Sequence, residues 1–214
     1  MKKFRYLLFD LDGTLTYSHK GIFACIRYAL EKTGLPVPSD ETLRHCIGPS
    51  LDWSFTNIFG LDWETSKRAT AFYRERYSAV GWKENEPIEG ALAALEALRK
   101  KGYTLALATS KPLVFASQIS ELFGFKRYLS VEVGSGLNGE FPTKAAVIEE
   151  AVRQLNANKA DCLMIGDRKH DIEGAREAGV AVAALDIGYA QPEEFSAYPP
   201  DLYFSSFDEL LKAL

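Results

Sequence analysis

Cysteine is scarce in this chain. There are three in 214 residues, Cys25, Cys46 and Cys162, odd in number, far apart and without a Cys-x-x-Cys pair, so neither a disulfide framework nor a zinc site is indicated. They read as buried apolar fillers. Histidine is equally rare: His19, His45 and His170 share no metal-ligand spacing, and each reads as a polar surface or hinge residue. Positive charge is not in excess either, with 25 Lys and Arg against 29 Asp and Glu, a formal net charge of -4. No face-long basic run exists, so a nucleic-acid polymer is not an expected partner. Long apolar runs are also missing. The stretch after Met1-Lys2-Lys3 is cut short by Asp10 and Asp12, unlike a signal peptide or a membrane span. The expectation is a cytoplasmic protein with no membrane association, and no protein partner is evident. Internal repeats and low-complexity segments are absent.

What is present is enough apolar content, 47%, for a packed interior. Short runs rich in Leu, Val, Ile and Ala recur at 4–9, 104–108, 130–133, 162–165 and 180–184, as parallel strands buried on both faces do. Between them lie helical periodicities at 89–101, 112–123, 143–155 and 172–178, and Gly102, Gly124 and Gly179 fall where helix-ending glycines belong. Strand alternating with helix predicts right-handed βαβ units and a doubly wound parallel sheet, a Rossmann-like α/β core whose function lies at the carboxyl ends of the strands. One stretch breaks the alternation. Helical patterns at 21–32, 41–46, 51–59 and 63–80 occur with no strand-like run, which predicts an inserted α-helical cap at 17–82 and a core made of 1–16 and 83–214. Because the insertion follows the first strand's turn, the cap is expected to act as a lid, with 16–20 and 81–87 as linkers. The tail, 192–214, reads as a Pro-bearing loop, a strand at 202–204 and a helix at 207–211.

Four segments at predicted strand ends carry chemistry. The first is Phe9-Asp10-Leu11-Asp12-Gly13-Thr14-Leu15, two carboxylates around a turning glycine; an acidic loop capping a helix is the lesser alternative for it alone. The second, Leu107-Ala108-Thr109-Ser110-Lys111-Pro112, ends a strand in hydroxyls and opens a helix with Pro at its first position. Free N–H groups there, with the Thr109 and Ser110 hydroxyls, would cradle an anion. The third is Lys144, in a helix's first turn, where a cation opposes the macrodipole and a phosphate or carboxylate partner would explain it. The fourth, Met164-Ile165-Gly166-Asp167-Arg168-Lys169-His170-Asp171-Ile172, delivers two acidic residues four apart. With Asp10 and Asp12 it offers the hard oxygen ligands that suit Mg²⁺. The intervening Arg168, Lys169 and His170 read as a solvated charge run.

FDLDGTLTYS, LALATSKP, PTKAAVI and MIGDRKHDIEGAREAG, in this order, resemble the four motifs of the haloacid dehalogenase-like hydrolase superfamily over essentially the whole chain. The helical insertion resembles that of the small-cap subclass, which includes phosphoglycolate phosphatases. The strings ATSKP and MIGDRKHDI, with Ile47-Gly48-Pro49, resemble a branch described as 5′-nucleotidase-like. The resemblance implies a Mg²⁺-dependent phosphatase working through an aspartyl-phosphate. It makes Asp10 the nucleophile and Asp12 the general acid and then base, positioned by Thr14. It assigns Thr109 and Ser110 to the phosphoryl group, Lys144 to its charge and to Asp10, and Asp167 to the metal beside Asp10 and the Asp12 carbonyl. Asp171 would ligate indirectly or orient Lys144. A second aspartate such as Asp12 implies phosphate-ester rather than carbon–halogen chemistry.

The implied substrates are small phosphorylated metabolites, phosphoglycolate first and nucleoside monophosphates second. A sugar-phosphate mutase and a noncatalytic phosphate-binding protein are the rival readings. In the cap, Trp53, Phe55, Phe59, Trp63, Phe72, Tyr73 and Tyr77 recur near helical spacing and read mostly as packing. Lys20, Arg44 and Ser50, the last in the Ile47-Gly48-Pro49-Ser50 turn, are the candidates for substrate contact there.

Overall fold

In the computed structural model, residues 4–137 and 139–214 are described; the first three, weighed above as the start of a leader, lie outside them. Strand β1 (Tyr6–Phe9) turns into a two-residue strand β2 (Thr16–Tyr17), and four helical segments follow: α1 (His19–Lys32), α2 (Asp40–Arg44), α3 (Leu51–Trp53) and α4 (Trp63–Ala79). A second two-residue strand, β3 (Glu86–Pro87), pairs with β2. Then come α5 (Ala91–Lys100), β4 (Thr104–Pro112), α6 (Leu113–Leu122), β5 (Leu129–Ser135), α7 (Lys144–Gln154), β6 (Cys162–Gly166), α8 (Lys169–Ala178), β7 (Ala181–Leu185), α9 (Glu194–Ala197), β8 (Leu202–Phe204) and α10 (Phe207–Ala213). The chain divides into two compact units, Met1–Thr16 with Pro87–Leu214, and Tyr17–Glu86.

The first unit is a six-stranded sheet in the order β5-β4-β1-β6-β7-β8, with every pairing parallel. β1, the middle of β4 and all of β6 are nearly or fully buried, which is why they are written as unbroken apolar runs. Leu8, Ala106, Ala108 and Met164 pack with Val147, Ile148, Ala151, Ile172 and Ala175 of α7 and α8 in one apolar cluster. This is an α/β Rossmann-like fold. The strand order runs outward in both directions from β1, so the switch point of the sheet lies at the C-terminal ends of β1, β4 and β6, where such sheets bind ligands. Gly102, Gly124 and Gly179 all have positive φ, as helix-ending glycines do.

The second unit is helical. Within it α1 packs against α4, and the segment expected as one helix over 51–59 is α3 followed by a π-type turn, Ser54–Ile58. α1 starts at His19, so residues 16–20 are not a plain linker. Phe55, Tyr73 and Tyr77 are buried, but Trp53 and Trp63 are exposed, which corrects the packing role for those two. Among the described residues no helix is long and apolar enough to cross a membrane.

The second motif also departs from expectation. β4 does not stop at Ala108 but continues to Pro112, pairing Thr109 with Gly134 and Pro112 with Ser135 across a register shift. Pro112 has ψ 129°, so it precedes α6 in extended conformation rather than occupying the helix's first position. The free helix N–H groups therefore begin at Leu113, four residues beyond Thr109.

Candidate active site

Where three neighbouring strands end determines which side chains meet. Phe9 of β1 lies opposite Leu107 of β4 and Ile165 of β6, so Asp10, Thr109 and Asp167 emerge from adjacent strands. The Asp10 N–H still donates to the Ile165 carbonyl at 3.0 Å, fixing its backbone to the sheet. Two residues on, Gly13 turns the chain with φ 84°. A Cβ there would stand 2.1 Å from Asp167 Oδ2, so no other residue fits.

Lys144 is the first residue of α7, placed by the Thr143 N-cap, whose hydroxyl accepts from the Ala146 N–H at 3.1 Å. Its buried ammonium lies 2.8 Å from Asp10 Oδ1 and 2.7 Å from Asp171 Oδ1. Burial alone would lower its pKa, but the charges of Asp10 and Asp171 more than offset that and hold it above the usual range. They also explain a cation at a helix start, against the macrodipole. Asp167 is buried completely. Burial, then the charges of Asp171 and Asp10, push its carboxyl well above the ordinary value, although the Tyr189 N–H donates to Oδ2 at 2.7 Å. Burial raises Asp171 as well, against the pull of Lys144. Asp12 faces a different cation, Lys111, whose buried Nζ lies 2.8 Å from Oδ2. The other Asp12 oxygen, Oδ1, is buried with no hydrogen-bond partner among the described residues.

Oxygens of Asp10, Asp167 and Asp171 lie within 4.8 Å of one another. Four carboxylates and two ammoniums share the site, an excess of two negative charges. An all-oxygen donor set with that excess fits a hard divalent cation, which would relieve the crowding that disfavours ionised Asp167.

The expected residues Asp10, Asp12, Lys144, Asp167 and Asp171 are thus brought together, with three changes of detail. Thr14 donates to Asp167 Oδ1 at 3.3 Å rather than positioning Asp12. The hydroxyl of buried Thr109 accepts from the Lys111 N–H at 3.2 Å, while exposed Ser110 offers its carbonyl to the Ser135 hydroxyl at 2.8 Å. Arg168 is not solvated: it is buried against Glu194, with Nε 3.0 Å from Oε1. In the helical unit, exposed Lys20 pairs with Glu86 at 2.5 Å, Ser50 caps α3 by accepting from the Trp53 N–H at 3.3 Å, and Arg44 is exposed at the end of α2. Three contributors were not foreseen: Lys111, Tyr189 and Glu194. A lysine between a strand's hydroxyls and a proline was a usable signal for the first; the other two act across long sequence separations that spacing does not reveal.

Residues 7–185 match the family model described as haloacid dehalogenase-like hydrolase. The chain is 38% identical to a 5′-nucleotidase of Pseudomonas aeruginosa, over 97% of the chain and 94% of that protein. It is 34% identical to the tyrosine-protein kinase PtkA of Mycobacterium tuberculosis, over 97% of the chain and 72% of that protein. It is 28% identical to a phosphoglycolate phosphatase of Vibrio parahaemolyticus, over 98% and 96%. Among solved structures, that of a predicted phosphatase from Clostridium acetobutylicum superposes with a TM-score of 0.93 at 38% identity, covering 99% of this chain and 98% of the other.

Proposed function

This chain belongs to the haloacid dehalogenase-like hydrolases, as a phosphoric monoester hydrolase, and we propose that it cleaves small phosphomonoesters by covalent catalysis on Asp10 with Mg²⁺. The observation that carries the proposal is the placement of Asp10 between the Lys144 ammonium and the Asp167–Asp171 carboxylates. Asp10, Asp167 and Asp171 would hold Mg²⁺, whose charge when bound would draw electron density from the phosphoryl oxygens and lessen their repulsion of the nucleophile.

An Asp10 carboxylate oxygen attacks phosphorus, the bond from phosphorus to the ester oxygen breaks, and Asp12 gives that oxygen its proton. Water then attacks the aspartyl-phosphate, Asp12 takes a proton from it, and the bond between phosphorus and Asp10 breaks to release phosphate. Splitting one hard displacement into two is the gain from covalent catalysis. Lys111 fixes Oδ2 of Asp12 and leaves Oδ1 for the proton transfers, which contribute roughly 10²–10⁴-fold in rate. Lys144 offsets phosphoryl charge and, 2.8 Å from Oδ1, holds the Asp10 carboxylate in place. Thr109 and the Ser110 backbone take the remaining phosphoryl oxygens.

Asp10→Asn is nearly isosteric and removes the nucleophile, so turnover should be lost with the fold intact by circular dichroism. Activity within a few-fold of the parent, in protein verified free of deamidation, would overturn the assignment. The identity to the 5′-nucleotidase favours nucleoside monophosphates as the first substrate class to test, beside 2-phosphoglycolate. Measuring kcat/KM by phosphate release for both, and for a tyrosine phosphopeptide, orders them. A phosphopeptide preferred over both would refute the small-metabolite reading.

A further inference from the structure

Beside Asp167 stands a second buried ion pair that the mechanism does not use. Arg168 Nε donates to both carboxylate oxygens of Glu194, at 3.0 and 3.2 Å. The same carboxylate accepts the Lys169 N–H at 2.5 Å and the Gln191 N–H at 3.1 Å. Four contacts fill the acceptor capacity of one carboxylate. They join two stretches of chain: the turn between β6 and α8, which carries Asp167, and the loop between β7 and α9. That second loop reaches the site itself. Its Tyr189 N–H donates to Asp167 Oδ2, and a Cβ on Gly188 would stand 2.1 Å from the Gly13 carbonyl oxygen and 2.4 Å from Asp167 Oδ2. With Thr14 on Oδ1, both oxygens of Asp167 are oriented, one by the first motif and one by this loop.

We infer that Glu194 is a positioning residue for Asp167: it ties the loop after β7 to the turn after β6, and thereby sets the Tyr189 N–H and the Gly188 backbone that orient the Asp167 carboxylate toward a cation. The inference rests on the reading of Asp167 as a cation ligand. A buried ion pair is weak evidence for stability, because desolvation opposes the attraction. A ligating carboxylate, by contrast, depends on its own hydrogen-bond partners, whose loss weakens a metal by roughly 10–100-fold. Glu194 lies one step further out and acts through one such partner, the Tyr189 N–H, and through the close-packed Gly188 backbone.

Calorimetric titration of Mn²⁺ and Mg²⁺ into the full chain tests this without relying on turnover. Glu194→Gln keeps the size and one acceptor oxygen but removes the charge that Arg168 meets, and it should raise the cation Kd roughly 10-fold or more. Gly188→Ala, which leaves Glu194 and Arg168 untouched, should weaken the cation in the same direction, while Glu194→Asp should recover part of the affinity. With saturating cation, KM for a phosphomonoester should stay near the wild-type value in Glu194→Gln. Leu210→Ala in the distant α10 is the control: matched in lost thermal stability, it should bind the cation normally. Glu194→Gln with wild-type cation affinity, or Leu210→Ala with an equal loss, would reduce Glu194 to a structural role. If Glu194→Gln does not fold, Gly188→Ala and Glu194→Asp decide by the same criterion. A wild-type chain that binds neither cation would instead refute the cation reading on which the inference stands.

Discussion

His170 and Asp167 titrate in opposite senses, although only three positions separate them. Burial, then the charges of Arg168 and Lys169, lowers the His170 pKa to about 4. The unfolded imidazole, near 6.5, binds more protons than the native one between those values, so its contribution to stability is present above pH 6.5 and lost as pH falls toward 4. Asp167 behaves inversely: its native pKa is raised, so the native state binds the extra proton, and stability falls as pH rises above the unfolded value near 4. Two substitutions should separate them. His170→Gln should flatten the loss of stability on the acid side between pH 6.5 and 4. Asp167→Asn should raise the Tm of cation-free protein at neutral pH while abolishing turnover. Thermal melts in EDTA across pH 4–8 read both slopes, and slopes moving in the same direction for the two variants would refute this account.

Helix α7 shows how a local element delivers a buried charge to the carboxylate cluster. Thr143 caps it, and Lys144 is the next residue, so loss of the cap hydroxyl frays the very turn that holds the ammonium. Thr143→Ala should lower stability by about 1 kcal/mol in urea unfolding and reduce kcat disproportionately, and Thr143→Ser should restore both. An alanine variant destabilised but fully active would show that the two carboxylates hold Lys144 unaided. The sequence made this element legible, because a lysine misplaced against the helix dipole demands an anionic partner. Strands β1, β4 and β6 were legible for a related reason: burial on both faces leaves only apolar residues. The end of β4 was not, since a register shift against β5 keeps Thr109 to Pro112 extended where hydroxyls followed by proline suggest a helix start. Arg168 was misread because its partner Glu194 sits 26 residues downstream at the start of α9, and a run of Arg, Lys and His looks solvated until that partner is in place. The resemblance implied that Thr14 positions Asp12, whereas past the Gly13 turn its hydroxyl donates to Asp167.

At the scale of the whole molecule, the sheet unit gathers its buried charges at one switch point, and the proposed cation would couple that concentration to the stability of the fold. Crowded carboxylates at Asp10, Asp167 and Asp171 oppose folding when ionised together, and a divalent cation held there, as proposed, would reverse the sign of their effect. If the proposed cation binds only the folded, deprotonated cluster, it would stabilise by RT ln(1 + [L]/Kd), about 2.7 kcal/mol at a hundredfold excess over Kd. For a chain of this length each kcal/mol moves Tm by roughly 2–4 °C. Raised pKa values at Asp167 and Asp171 mean that protons compete with the cation as pH falls, so the stabilisation must shrink in acid. The expected result is a Tm in Mg²⁺ well above that in EDTA at pH 7.5, a much smaller difference at pH 5, and no difference at either pH for Asp167→Asn. Melts of the wild type and this variant under the four conditions test it. An equal shift at both pH values, or one that survives in Asp167→Asn, would place the cation somewhere other than this cluster.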